Sequence, residues 1–199
     1  MAGSDRGKAG QTVRAFIAFP LPGDVRSHLR RVQAELKKQD WAVKWVQPEH
    51  IHLTLKFLGD VPETEISAIR QAMEAAADGF EAVRLSASGL GAFPGVKRPR
   101  VIWCGVSGDL EALKALHERL EAELGALGIE KEGRAFKGHL TLGRVKGRVP
   151  PEDLVDAVTR HGHTESRIFS GDCLHLFQSR LKPGGPEYRE LACVRLTAA

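Results

Sequence analysis

At 199 residues the chain is long enough for one domain or two closely packed lobes, with a core that needs no staple. Hydrophobic residues make up 42% and charged residues 27%, an ordinary balance for a globule, and no run of 18 apolar residues is present to span a bilayer. The net charge of +4 leans toward an anionic partner without by itself defining a nucleic-acid binder.

Residues 1–12 carry Gly, Ser and charges but no apolar run, and read as a flexible tail rather than a signal peptide. Arg14–Phe19 reads as a buried strand stopped by Pro20 and Pro22. A helix is expected from Asp24 to Lys38, with Val25, Leu29, Val32 and Leu36 on one stripe. Trp41–Gln47 is a short bridge or strand. Ile51–Leu58 is a strand that Gly59 and Asp60 should end. Pro62–Asp78 reads as a helix, with a proline early and acidic residues in its first turn. Ala82–Ser88 alternates as a strand, and residues 89–100 read as a loop.

In that loop Lys97, Arg98 and Arg100 are open to two readings, a solvated turn or a phosphate-facing rim. Val101–Val106 is a buried strand, and Ser107 or Asp109 is placed to cap the next helix. That helix is marked by Leu110, Leu113, Leu116, Leu120, Leu124 and Leu127, with Gly128 past its end. Phe136–Val145 is a strand, Glu152–Arg160 a short helix, and Asp172–Arg180 and Tyr188–Leu196 two further strands. Cys104, Cys173 and Cys193 are odd in number and widely spaced, which fits thiols in a reducing cytoplasm.

Two of these strands carry the same tetrapeptide, His52-Leu53-Thr54-Leu55 and His139-Leu140-Thr141-Leu142. Successive side chains of a strand face opposite ways, so His and Thr share one face and the leucines the other. A core asks only for the leucines; nothing about packing asks His and Thr to recur. If the strands are mates in a duplicated fold, two imidazoles and two hydroxyls converge. That set suits acid–base work on a phosphate, with two groups titrating near neutrality and two neutral donors for its oxygens. Matching element order places the duplicated halves near 14–90 and 99–196, within one domain over 13–199. Lys56 shares the motif face and could steer a phosphate. Arg144 is five positions from His139, so an unbroken strand points it away; only a bulge near Gly143 would bring it round. Phe57 reads as core. His28, His117, His161, His163 and His175 follow no ligand spacing and read as surface or structural.

Together with Arg14–Phe19, Trp45–Pro48, the stretch from His52 to Gly59, Gly91–Pro94 with Pro99 and Arg100, the stretch from His139 to Arg144, Ser179–Leu181, Gly185 and Tyr188, the paired motif makes the chain resemble the 2H phosphoesterases. Within them it resembles the RNA 2′,3′-cyclic phosphodiesterases, also called 2′-5′ RNA ligases. The family usually has proline before the second histidine, where this chain has Gly138.

The resemblance implies an α+β bilobal fold, two antiparallel sheets around a pseudo-twofold central cleft with helices outside. It implies hydrolysis of a terminal 2′,3′-cyclic phosphate to a 2′-phosphomonoester without metal or other cofactor, with ATP-independent 2′-5′ ligation by the same site. His52 is then the proton donor and His139 the proton acceptor, with Thr54, Thr141, Lys56 and Arg144 on the phosphate. The partner would be RNA ending in a cyclic phosphate, tRNA fragments included, or a small nucleotide, met by a cytoplasmic monomer away from membranes. Other readings are a 2H enzyme of nucleotide 2′,5′ linkages or small cyclic phosphodiesters, and a non-catalytic binder of RNA ends. A metal hydrolase starting from His50-x-His52 lacks a third ligand at fixed spacing.

Overall fold

The structure, a computed structural model, describes residues 11–183 and 185–197. Most of the expected tail, residues 1–10, lies outside the described residues. The strands are β1 (Thr12–Pro20), β2 (Val43–Trp45), β3 (His52–Pro62), β4 (Val83–Phe93), β5 (Val101–Gly108), β6 (His139–Val145), β7 (Phe169–Gly171), β8 (Cys173–Lys182) and β9 (Gly185–Arg195). The helices are α1 (Gly23–Lys37), α2 (Ile66–Ala77), α3 (Leu110–Ala126) and α4 (Pro151–His161).

The fold is the expected α+β, bilobal and antiparallel. One lobe orders its strands β3-β1-β8-β9 and the other β6-β5-β4-β7, with β2 on the edge of β6. The two sheets join through one register pair, Leu53↔Leu140. The lobes are interleaved in sequence and do not coincide with the halves 14–90 and 99–196. β4 crosses to pair with β5, and β8 returns from the C-terminal part to pair with β1.

Each sheet buries one face. Ile17, Phe19, Leu53, Leu55, Ile102, Leu140, Leu142, Leu174 and Leu176 form one core with the helix stripes, such as Leu113, Leu116, Leu120 and Leu124 of α3. The opposite faces of β1, β3, β6, β8 and β9 contribute the side chains that enclose the cleft.

Two strands run further than expected, for one reason. Gly59 and Gly89 both take positive φ, 73° each. Each lies at a bulge, where β3 and β4 gain an extra residue and then resume pairing with β1 and β5. Glycine read from sequence as a strand end is here a hinge within the strand.

Neither expected cap serves α3. The Asp109 carboxylate accepts instead from the Arg84 backbone N–H at 2.8 Å, and the Ser107 hydroxyl donates to Glu165 at 2.7 Å. Cys173 and Cys193 form a disulfide across β8 and β9, their Cα atoms 6.1 Å apart, while Cys104 is free and buried. This corrects the reading of three thiols and removes its argument for a reducing compartment. Among the described residues no helix is long and apolar enough to cross a membrane.

Candidate active site

The two tetrapeptides occupy the junction between the lobes. Their leucines are buried, and His52, Thr54, His139 and Thr141 are half-buried on the other face. The register that pairs Leu53 with Leu140 sets His52 opposite Thr141 and Thr54 opposite His139. The four polar residues therefore form a crossed quartet, each histidine at the register position opposite the other strand's threonine.

Both rings are held in the same way. His52 Nδ1 lies 2.8 Å from the carbonyl of His50, and His139 Nδ1 lies 2.8 Å from the carbonyl of Lys137. A carbonyl only accepts, so each Nδ1 carries the hydrogen and each Nε2 is left for chemistry. His52 is stacked on Phe16 at 4.6 Å between centroids and meets the edge of Tyr188 at 5.3 Å. His139 meets the edge of Phe93 at 5.0 Å.

Burial pushes His52 down to about 4, helped by the neighbouring His50 and His139 rings and opposed by its bond to the His50 carbonyl. Burial thus favours the neutral ring, and a bound anion would push the other way. In an NMR titration of the free protein, the His52 ring is expected to titrate near pH 4, and to move up when inorganic phosphate is added. A midpoint at or above the ordinary histidine range would contradict this environment. A folded-state value below the unfolded one means the folded state binds fewer protons. His52 therefore withdraws stability as pH falls from the ordinary histidine range toward 4.

A cleft of about 470 Å³ opens beside the quartet, lined by Thr54 and Thr141 with His52. Arg14, Lys44, Arg144 and Lys146 give it positive charge, and Trp45, Phe57 and Tyr188 give it aromatic surface. Lys44 stands directly across from Arg144 in the β2–β6 ladder. Like charges in that position repel and persist where an anion is expected. Among the described residues none of the four cations is ion-paired, and no carboxylate or thiol lines the cleft. Burial raises the Tyr188 phenol, while the positive charge of Arg144 pulls it down.

A second pair of bulges sorts the remaining expected residues. In β3 the register with β1 slips at Leu55, and in β6 the register with β5 slips at Leu142, each the third residue after its histidine. Beyond a bulge the facing of side chains reverses. Arg144 therefore turns into the cleft, and Phe57, expected in the core, is 56% exposed on the cleft wall. Lys56 turns the other way. It is 1% exposed, with Nζ 2.6 Å from the Glu130 carbonyl and 2.8 Å from Glu121 Oε1. Its expected contact with phosphate is corrected, because its cation is already occupied on the core side.

The β6 bulge is itself held. The Leu142 carbonyl accepts from the Val46 N–H at 2.9 Å and from buried Gln33 Nε2 at 2.8 Å. A Cβ on Gly143 would lie 2.5 Å from Val43 Cγ1, so β2 can approach this edge only because glycine stands there.

Lys97, Arg98 and Arg100 are exposed and are not among the residues that line this cleft. The charge comes instead from Arg14, Lys44 and Lys146, none of them singled out in the sequence. Pairing of Lys44 with Arg144 is visible only once β2 is known to flank β6.

Two imidazoles and two hydroxyls beside an unpaired cationic wall offer the groups that acid–base work on a phosphate needs. Comparisons with known proteins agree. The family model described as LigT-like phosphoesterase matches residues 19–103 and 106–188. The RNA 2′,3′-cyclic phosphodiesterase of Methanothermobacter thermautotrophicus is 36% identical over 184 residues, covering 92% of this chain and 99% of the relative. That of Thermotoga maritima is 33% identical over 180 residues, covering 90% and 93%.

Among solved structures, TT0787 of Thermus thermophilus superposes with a TM-score of 0.75 at 29% identity, covering 92% of this chain and 97% of the other. E. coli LigT complexed with 3′-AMP also reaches 0.75, at 22% identity over 94% and 99% of the two chains, and shares the fold. The chain belongs to the LigT-like phosphoesterase family, in the 2H superfamily, and is a hydrolase of phosphodiester bonds.

Proposed function

We propose that the protein opens the 2′,3′-cyclic phosphate at an RNA end and leaves a 2′-phosphomonoester. The observation that carries this reading is the matched pair of imidazoles, each with Nδ1 fixed by a backbone carbonyl, on strands whose register sets each histidine opposite the other strand's threonine. Water attacks phosphorus and the bond to O3′ breaks. His139 Nε2 takes the proton from water while His52 Nε2 gives one to the departing O3′. The Thr54 and Thr141 hydroxyls donate to the non-bridging oxygens as their charge builds. Arg144, with Lys44 and Lys146, holds the phosphate and the neighbouring backbone. The exposed ring of Phe57 offers a face for a base to stack on. The negative phosphate works against the burial that empties His52 of its proton, so substrate binding arms the acid.

The cleft is lined by the imidazoles of His50 and His52 but by no carboxylate or thiol, and among the described residues its side chains form no group of three possible metal ligands, which supports a metal-independent reaction. With a 5′-hydroxyl in place of water, the same proton transfers would join two ends through a 2′-5′ link, driven by the strain of the ring without ATP. A volume near 470 Å³ is also nucleotide-sized, which keeps small cyclic nucleotides within the substrate range.

The test is incubation with an RNA ending in 2′,3′-cyclic phosphate, in excess EDTA and without ATP. Turnover to a 2′-monoester is expected. A 3′-monoester would reverse the assignment of the leaving oxygen, and activity abolished by EDTA would overturn the metal-free mechanism.

A further inference from the structure

Lys56, the motif residue that faces away from the cleft, belongs to a buried cluster. Its ammonium meets Glu121 Oε1 at 2.8 Å, and Glu121 Oε1 lies 3.7 Å from His117 Nε2. All three side chains are buried, Glu121 and His117 on the inner stripe of α3. A buried ion pair of this kind is weak evidence for stability, since apolar residues of similar volume often replace it without loss. Its contacts point to another use.

Residues 129–138, the approach to His139, form neither helix nor strand. Among the described residues no backbone–backbone hydrogen bond begins or ends between 130 and 136. The cluster supplies what the backbone lacks. Lys56 Nζ donates to the Glu130 carbonyl at 2.6 Å, Glu121 Oε2 accepts from the Glu132 N–H at 3.3 Å, and His117 is stacked on Phe136 at 4.1 Å. The segment then reaches Lys137, whose carbonyl holds His139 Nδ1. The approach to His52 differs. It is a 3₁₀ turn, Pro48–His50, closed by its own backbone bonds, His50 N–H to Gln47 O at 2.8 Å and Ile51 N–H to Pro48 O at 3.3 Å.

We infer that Lys56, Glu121 and His117 are positioning residues for His139: they pin an otherwise unbonded segment so that the Lys137 carbonyl fixes the ring's tautomer and aim. The β3 bulge that turns Lys56 inward thereby couples the strand of one histidine to the placement of the other.

This rests on the proposed reaction, so wild-type turnover is measured first on the cyclic-phosphate RNA. Lys56→Met is compared with Lys56→Met/Glu121→Leu, in which apolar groups replace the ion pair and preserve folding. Each variant is expected to lose about tenfold to a hundredfold in kcat, the scale of a small misplacement of a reacting group. KM should stay within about threefold, because the phosphate-binding groups are intact. The NMR signal of the His139 Nδ1–H should weaken or broaden while that of His52 persists. Lys56→Arg, which can reach both oxygens, should recover part of the kcat. Wild-type kcat in the double variant, an unchanged His139 Nδ1–H, or a raised KM at constant kcat would each overturn the inference. A wild type inactive on the RNA would sink the reaction instead, and the ring signals alone would then decide the positioning role.

Discussion

Replacing either imidazole with Gln is expected to lower kcat on the cyclic-phosphate RNA by about a thousandfold, within the range of a lost general acid or base. KM should change by less than about threefold, because Thr54, Thr141 and the four cations of the cleft remain. His52→Gln and His139→Gln should also be strongly non-additive. Once one proton transfer is lost, the concerted step is gone, and the double variant falls little further. Single-turnover kinetics with an equilibrium binding assay separate these quantities. A variant that keeps its turnover, or one that loses affinity with no turnover to lose, would leave a binder of RNA ends as the better account.

Leu140→Ala is expected to cost about 2–5 kcal/mol, the range for truncating a fully buried leucine. That is a large share of the roughly 5–15 kcal/mol that holds a domain folded. The position magnifies the effect. Leu140 and Leu53, both 0% exposed, are the register pair through which the two sheets join. Leu140 also lies between His139 and Thr141, so a relaxed strand loses aim as well as packing. Urea unfolding followed by circular dichroism reads the cost directly, and an unchanged midpoint would mean that the junction carries no weight.

His52, Thr54, His139 and Thr141 are legible in the sequence because alternation within four residues needs no knowledge of the neighbouring strand. The α3 helix is legible for a similar reason, its leucines recurring at the helical period over more than four turns. Lys56, Phe57 and Arg144 are a different case. A bulge is an event between two strands, and the slips opposite Ile17–Ala18 and Ile102–Trp103 cannot be seen from β3 or β6 alone. Strict alternation therefore sends Lys56 to the cleft and Phe57 to the core, the reverse of the structure. Three-residue β7 is too short to carry a period. The Cys173–Cys193 bond depends on β8 lying beside β9, which no spacing states. Arg14, Lys44 and Lys146 are scattered in sequence and gain meaning only when the sheet gathers them around one cavity.

The interleaving of the strands bears on how the molecule is made. Every group proposed to act on the phosphate is translated by Lys146, yet β1 stays without one of its two neighbours until β8 has left the ribosome. Until then a nascent polypeptide carries the whole chemical apparatus beside a bare sheet edge, the kind of surface that invites misassociation. Pairing of β1 with β8 also spans most of the polymer, so it is among the slowest contacts to close. Competence therefore comes last: Tyr188, which packs against His52, arrives with the final hairpin, and a prematurely terminated product would hold both histidines and still lack a finished cleft.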